Sequence, residues 1–268
     1  MAAGLLAAIF LEIVMKRKCL WLCSIACLLL SFVEPTKKIK VWLIGDSTMC
    51  YYEPARAPLT GWGMPFVNFF DSTVQIENRA RGGRSTRTFI SENRWQAVAD
   101  SMREGDFLLI QFGHNDEARE ERYKDRYTTP EDYRNNLTRF IGEARSKKVV
   151  PVLITPVSRM RFNKDGNAEE THVEYSAIMK EVAAATNTPL IDLDQKSREM
   201  YQQYGQDKTK LLFMQIEPGE NPVYPEGQKD NTHFNELGAR KIAEIVLKEI
   251  RSLHLGLADH IVIKKAAK

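Results

Sequence analysis

Residues 39–52 read IKVWLIGDSTMCYY. A nearly unbroken apolar run of this kind suits a strand buried on both faces of a parallel sheet better than a half-exposed one. The run stops abruptly at Gly45-Asp46-Ser47. Glycine supplies unusual backbone angles, and Asp and Ser bond back to their own main chain, so an ordinary turn is one reading. The other is that Ser47 is a nucleophile at the carboxyl end of a strand, where open α/β sheets place their ligands. These letters alone leave both readings open.

Outward from this strand, apolar runs alternate with amphipathic stretches. The runs predict further strands over Val74–Asn78, Phe107–Phe112, Val149–Thr155 and Pro189–Leu193. Between and after them, periodic segments predict helices over Thr88–Met102, Thr129–Lys147, Thr171–Thr186, Asp194–Tyr204 and Glu236–Leu253. Thr129-Pro130-Glu131-Asp132 is a helix start with a capping residue, a proline at the first helical position and early acids. Five βα units in sequence predict a doubly wound, three-layer α/β/α sandwich with a five-stranded parallel sheet. Three connections exceed what the scaffold needs: Glu117–Thr128, Ser158–Glu170 and Gly205–Asn231. They read either as solvated charged surface or as walls of a cleft at the strand ends.

A chain of 268 residues suits one substantial domain. Its 38 basic and 35 acidic residues leave a net charge of only +3, so no nucleic-acid partner is implied. The first residues differ in kind. The basic cluster Lys16-Arg17-Lys18 precedes an apolar run to about Val33 and then Pro35, the layout of a secretory signal peptide or N-terminal anchor. Translation from Met15 fits this layout, since residues 1–14 are an odd prefix to it. Ser24-Ile25-Ala26-Cys27 weakly resembles a lipoprotein box, but the leucines after Cys27 are more apolar than such sites usually allow. The reading is a leader over residues 1–36, a main domain over 37–256 and a C-terminal tail over 257–268. It places the protein outside the cytoplasm (periplasmic, extracellular or membrane-anchored), with membrane contact only through the leader. Oligomeric state is left open. Three of the four cysteines lie in the leader, so Cys50 has no internal partner and the fold rests on its apolar core.

A nucleophilic Ser47 needs a base, a group to orient that base, and donors for an oxyanion. The chain has five histidines. His254 and His260 lie in or beyond the last helix; His172 heads a helix, in a capping or substrate-facing position; His114 follows the third strand. His233, in Asp230-Asn231-Thr232-His233, has a carboxylate one turn upstream, and that spacing can bring Asp230 against one imidazole nitrogen while the other faces the serine. Donors are available at three strand ends: the Ser47 N–H, a glycine N–H in Gly82-Gly83, and the side-chain amide of Asn115. The histidines lack paired metal-ligand spacing and no thiol cluster exists, so a zinc-dependent deacetylase is not expected. Cys50 as nucleophile is weighed against a small packing residue, and packing is preferred.

GDS near the start, GGRS after the second strand, GHND after the third and DNTH near the end resemble the four blocks of the SGNH (GDSL-type) hydrolase superfamily. The wider wording, GDSTM, ARGGRSTRTF, QFGHND, ITPVSR and DNTHFNELGA, is similar to its rhamnogalacturonan acetylesterase branch, over about Val41 to Ile245. The resemblance implies a flavodoxin-like α/β/α fold and a serine esterase with Ser47 as nucleophile, His233 as base and Asp230 as its orienter. It implies an oxyanion hole of Ser47, Gly83 and Asn115, with Gly82 the alternative to Gly83. Arg84, Asp46 and Asp116 are read as loop supports. The implied substrate is an acetylated plant cell-wall polysaccharide or oligosaccharide, foremost pectic rhamnogalacturonan, with no cofactor. Trp62, Tyr224, Arg159 and Arg161 are candidates for the cleft wall, Trp62 equally for the core. Alternatives kept beside this are an acetylxylan or other carbohydrate or lipid esterase, and a carbohydrate-binding protein without chemistry.

Overall fold

The computed structural model describes residues 38–262, together with the isolated positions Gly4 and Met15. The leader read in the sequence and the last six residues lie outside this range.

Strands β1 (Ile39–Gly45), β2 (Val74–Asn78), β3 (Phe107–Gln111), β4 (Val150–Ile154) and β5 (Leu190–Ile191) form one sheet in the order β2-β1-β3-β4-β5. Every pairing in it is parallel. This is the flavodoxin-like doubly wound order, in which the chain reverses direction of travel between β1 and β3.

The unbroken apolar strands are explained by what covers them. Val41 and Leu43 of β1 and Leu109 of β3 face one core cluster, while Trp42, Ile44, Leu108 and Ile110 face another on the opposite side. The short helix α1 (Gly63–Phe66), α6 (Leu193–Thr209) and α7 (Glu236–Ser252) pack on the first face. Helices α2 (Thr86–Ser91), α3 (Arg94–Ser101), α4 (Pro130–Ser146) and α5 (Val173–Thr186) pack on the second. Each of the buried residues at these positions stabilises the fold by about 1.5–3 kcal/mol through removal of its side chain from water.

Three differences from the sequence reading have local causes. The helix expected over Thr88–Met102 is two helices, because Asn93 adopts the left-handed conformation (φ 58°) and breaks the ladder. The segment Gly205–Asn231, read as a loop, contains most of an antiparallel hairpin, β6 (Phe213–Ile216) with β7 (Gln228–Phe234). Its second strand, QKDNTHF, is polar and half-exposed, so it carries no apolar alternation to betray it. Helix α6 extends past Tyr204 only across a kink at Gly205, whose φ of 72° is non-helical.

Residues 257–262, set apart in the sequence as part of a tail, join the domain. Leu257 and Ile261 are buried in the first core cluster, and Val262 N–H donates to the Phe69 carbonyl at 2.8 Å.

Candidate active site

The carboxyl ends of β1, β3 and β4 deliver their following residues to one rim of the sheet. After Gly45, the chain turns so that the Met49 and Cys50 N–H groups both reach back to the Asp46 carbonyl, at 3.3 and 3.1 Å. That turn leaves Ser47 half-buried between fully buried neighbours. A buried chain of polar groups holds it: Trp62 Nε1 donates to Gln111 Oε1 (2.6 Å), Gln111 Nε2 to Thr48 Oγ1 (2.6 Å), and Thr48 Oγ1 to Asp46 Oδ1 (2.8 Å). From below, the Tyr52 hydroxyl donates to the Ser47 carbonyl at 2.9 Å. Trp62 is therefore a core residue and not part of the cleft wall. Gly61 is required beside it, since a Cβ there would sit 2.0 Å from the Cys50 carbonyl oxygen.

Asp230 and His233 come from β7. They lie not on a helical turn, as their spacing first suggests, but on a strand whose register slips between Phe213 and Met214 of its partner. The Thr232 and His233 N–H groups both donate to Asp230 Oδ1, at 2.7 and 3.0 Å. This fixes the carboxylate so that Oδ2 meets His233 Nδ1 at 2.7 Å. The far side of the ring, Nε2, lies 2.9 Å from Ser47 Oγ. Burial alone would raise the Asp230 carboxyl, but the hydrogen bond and charge of His233, helped by the two N–H donors, hold it below the usual carboxylate value.

Gly83 and Asn115 line the same cleft as Ser47 and His233, a space of about 870 Å³. Among the described residues no protein acceptor takes the N–H of Ser47 or Gly83. Gly82 lies beside Gly83, at a point where a Cβ would be 3.6 Å from the Ser47 Cβ and 3.9 Å from the Cys50 sulfur. Gly83 has φ 78°, a conformation glycine adopts without strain. One Asn115 Nδ2 proton is held by the Arg84 carbonyl at 2.9 Å, leaving the second for the cleft. Cys50 itself is buried, and burial pushes its thiol up, away from the reactive thiolate.

The expected supports hold the loops. Asp46 is buried; burial pushes its carboxyl up, and the two bonds from Thr48 pull back only in part. Asp116 Oδ1 accepts from Thr86 N–H (2.9 Å) and Oγ1 (2.6 Å), tying the Asn115 loop to the start of α2. Burial pushes Asp116 up to about 7. Arg84 bonds the Gly82 carbonyl (2.9 Å) and Glu92 (3.0 Å). His172 is buried, with Nδ1 2.9 Å from Glu117 Oε1 and its ring edge-on to His114 at 4.1 Å. Burial first, and then the neighbouring His172, Arg159 and His233, push the His114 imidazole well below its ordinary value. His260 lies against Thr73 and Asp71 and, like His254 after α7, is no part of the site.

The three long connections border the site. The first two supply Glu117, Arg126, Arg159 and Arg161 to the main cleft. The third supplies Tyr224 to a second hollow of about 480 Å³ that also touches Asp230 and His233. Gln111, Tyr52 and Arg126 were not singled out in the sequence. Gln111 had a signal, a lone amide closing an otherwise apolar strand. Among the described residues no three His, Cys, Asp or Glu side chains cluster to hold a metal ion.

A parallel α/β/α sheet with a Ser-His-Asp chain at its carboxyl rim is the architecture of a serine hydrolase. Residues 43–241 match the GDSL-like lipase/acylhydrolase family, and the chain belongs to it. It is 43% identical over 230 residues, 85% of its length, to rhamnogalacturonan acetylesterase RhgT of Bacillus subtilis strain 168, and the match takes in 97% of that protein. With the rhamnogalacturonan acetylesterase of Emericella nidulans it shares 26% identity over 253 residues, 88% of this chain and 94% of that one. Among solved structures, the crystal structure of YxiM from Bacillus subtilis superposes with a TM-score of 0.71 at 25% identity, covering 83% of this chain and 59% of that one.

Proposed function

We propose that this protein is a rhamnogalacturonan acetylesterase that works through an acyl-enzyme on Ser47. The observation that carries the substrate assignment is the 43% identity, over 85% of the chain, to an enzyme of that name. The geometry supports the chemistry. His233 Nε2 takes the Ser47 proton as Oγ attacks the acetyl carbonyl, and Asp230 stabilises the imidazolium through Nδ1. The oxyanion is met by the Ser47 and Gly83 N–H groups and the Asn115 amide. His233 then protonates the departing sugar alkoxide. Water, activated by the same imidazole, releases acetate from Ser47.

The cleft wall supports a sugar over a lipid. Among the described residues it contains no Leu, Ile, Val, Met or Phe, and its side chains are chiefly Arg, Glu, Tyr, His and Thr. A long acyl chain would lose water there without gaining apolar contact. Export through the N-terminal leader is part of the same proposal, since the polymer lies outside the cytoplasm. The test is acetate release from acetylated rhamnogalacturonan, acetylated xylan and a long-chain acyl ester. The first should have the highest kcat/KM, and a long-chain ester turned over equally well would overturn the assignment.

A further inference from the structure

The main cleft contains four arginines, and three have anionic partners. Arg119 lies 2.7 Å from Glu174 and Arg161 2.8 Å from Glu169. Arg159 donates to Thr232 Oγ1 at 2.6 Å and lies 3.4 Å from Glu117. Arg159 and Arg161, the two arginines that the sequence offers for the cleft wall, are thus already engaged.

Arg126 is different. No carboxylate is paired with its guanidinium among the described residues, and its Nε is buried without a hydrogen-bond partner. The group lies over the Tyr123 ring, with Cζ 3.8 Å from the centroid. Stacking of this kind fixes the guanidinium while leaving its edge free for a planar anion. A half-buried cation without a counter-ion is costly unless a ligand supplies one. The position is also informative: a Cβ placed on Gly83 would be 3.5 Å from Arg126 Nη1, so the guanidinium borders the oxyanion corner. The loop carrying it is pinned there by Thr128 N–H, which donates to the Asp116 carbonyl at 3.0 Å.

We propose that Arg126, stacked on Tyr123, is a carboxylate subsite that binds a uronate of the polysaccharide beside the acetyl ester being cleaved, and so selects acetylated acidic sugars over neutral ones. The inference rests on the acetylesterase reading above and adds to it the feature of the substrate that is recognised. A bidentate Arg–carboxylate contact at a desolvated site is strong enough for a discrimination of about 10- to 100-fold.

The test compares acetylated rhamnogalacturonan oligosaccharides with the same oligosaccharides whose carboxylates have been converted to neutral methyl amides. The readout is the ratio of kcat/KM on the acidic form to that on the neutral form. In the wild type, which needs no variant to fold, the ratio is expected to be about 10 or more. In Arg126→Gln it is expected to fall to within about twofold of unity. A wild-type ratio near unity, or a ratio unchanged by Arg126→Gln, would overturn the subsite while leaving the acetylesterase reading standing. No acetate release from either form by the wild type would overturn both.

Discussion

Asp230→Asn is nearly isosteric, yet the structure expects it to be among the most damaging changes to catalysis. Asp230 Oδ1 accepts two backbone N–H groups, from Thr232 at 2.7 Å and His233 at 3.0 Å. An asparagine can satisfy those two donors only with its carbonyl oxygen, so its NH2 must occupy the place of Oδ2, 2.7 Å from His233 Nδ1. The amide then donates to Nδ1, and the imidazole proton moves to Nε2, which faces Ser47 Oγ at 2.9 Å. A protonated Nε2 cannot take the serine proton. The loss expected from the wrong tautomer is about 10⁴-fold in kcat with little change in KM. The assay is initial-rate acetate release, with thermal unfolding run alongside to show that the variant is folded. A kcat within about tenfold of wild type would refute the assignment of Asp230 as the group that sets the histidine tautomer.

Asn115→Ala should lower kcat by about 10²- to 10³-fold at nearly constant KM, the usual consequence of deleting one oxyanion donor; an effect on KM alone would remove Asn115 from that role. Gly83→Ala forces a side chain onto a backbone at φ 78°, a strain of about 1–2 kcal/mol that turns the N–H away, whereas a Cβ on Gly82 would make only an ordinary 3.6 Å contact with Ser47. The kcat loss should therefore be larger for Gly83→Ala, and the reverse order would move the donor to Gly82. Asp116 is raised by burial from 3.8 to about 7, so the folded state binds its proton more tightly than the unfolded one. Its contribution to stability is complete below about 3.8 and is lost as pH rises through about 7, by about 4 kcal/mol. Asp116→Asn keeps an acceptor for Thr86 and should gain stability relative to wild type between pH 5 and pH 8; parallel unfolding curves for the two proteins would contradict this.

The central strands were readable because they are buried on both faces, which leaves continuous apolar runs in β1, β3 and β4, whereas β2 at the sheet edge is mostly half-exposed. The site was readable because short, chemically distinctive words carry it: GDS and DNTH hold the triad, and GHND holds the amide of the oxyanion hole. The hairpin that presents Asp230 and His233 was hidden, since β7 is half-exposed and its residues are chosen for chemistry, not for packing. Asn93 looks like an ordinary helix residue, and only its left-handed backbone breaks the segment in two. Arg126 sits in EAREERYKDRYT, where charge alternates densely and every arginine looks equally solvated. What singles it out is the absence of a partner in space, which no linear pattern records.

The central claim, that Ser47 carries the acyl group, is tested most directly by acetate release from acetylated rhamnogalacturonan under saturating conditions, wild type against Ser47→Ala. Removal of Oγ leaves His233 without the group it deprotonates, so the rate should fall by about 10⁴-fold or more. A Ser47→Ala protein that retained more than about 1% of wild-type turnover would contradict the account.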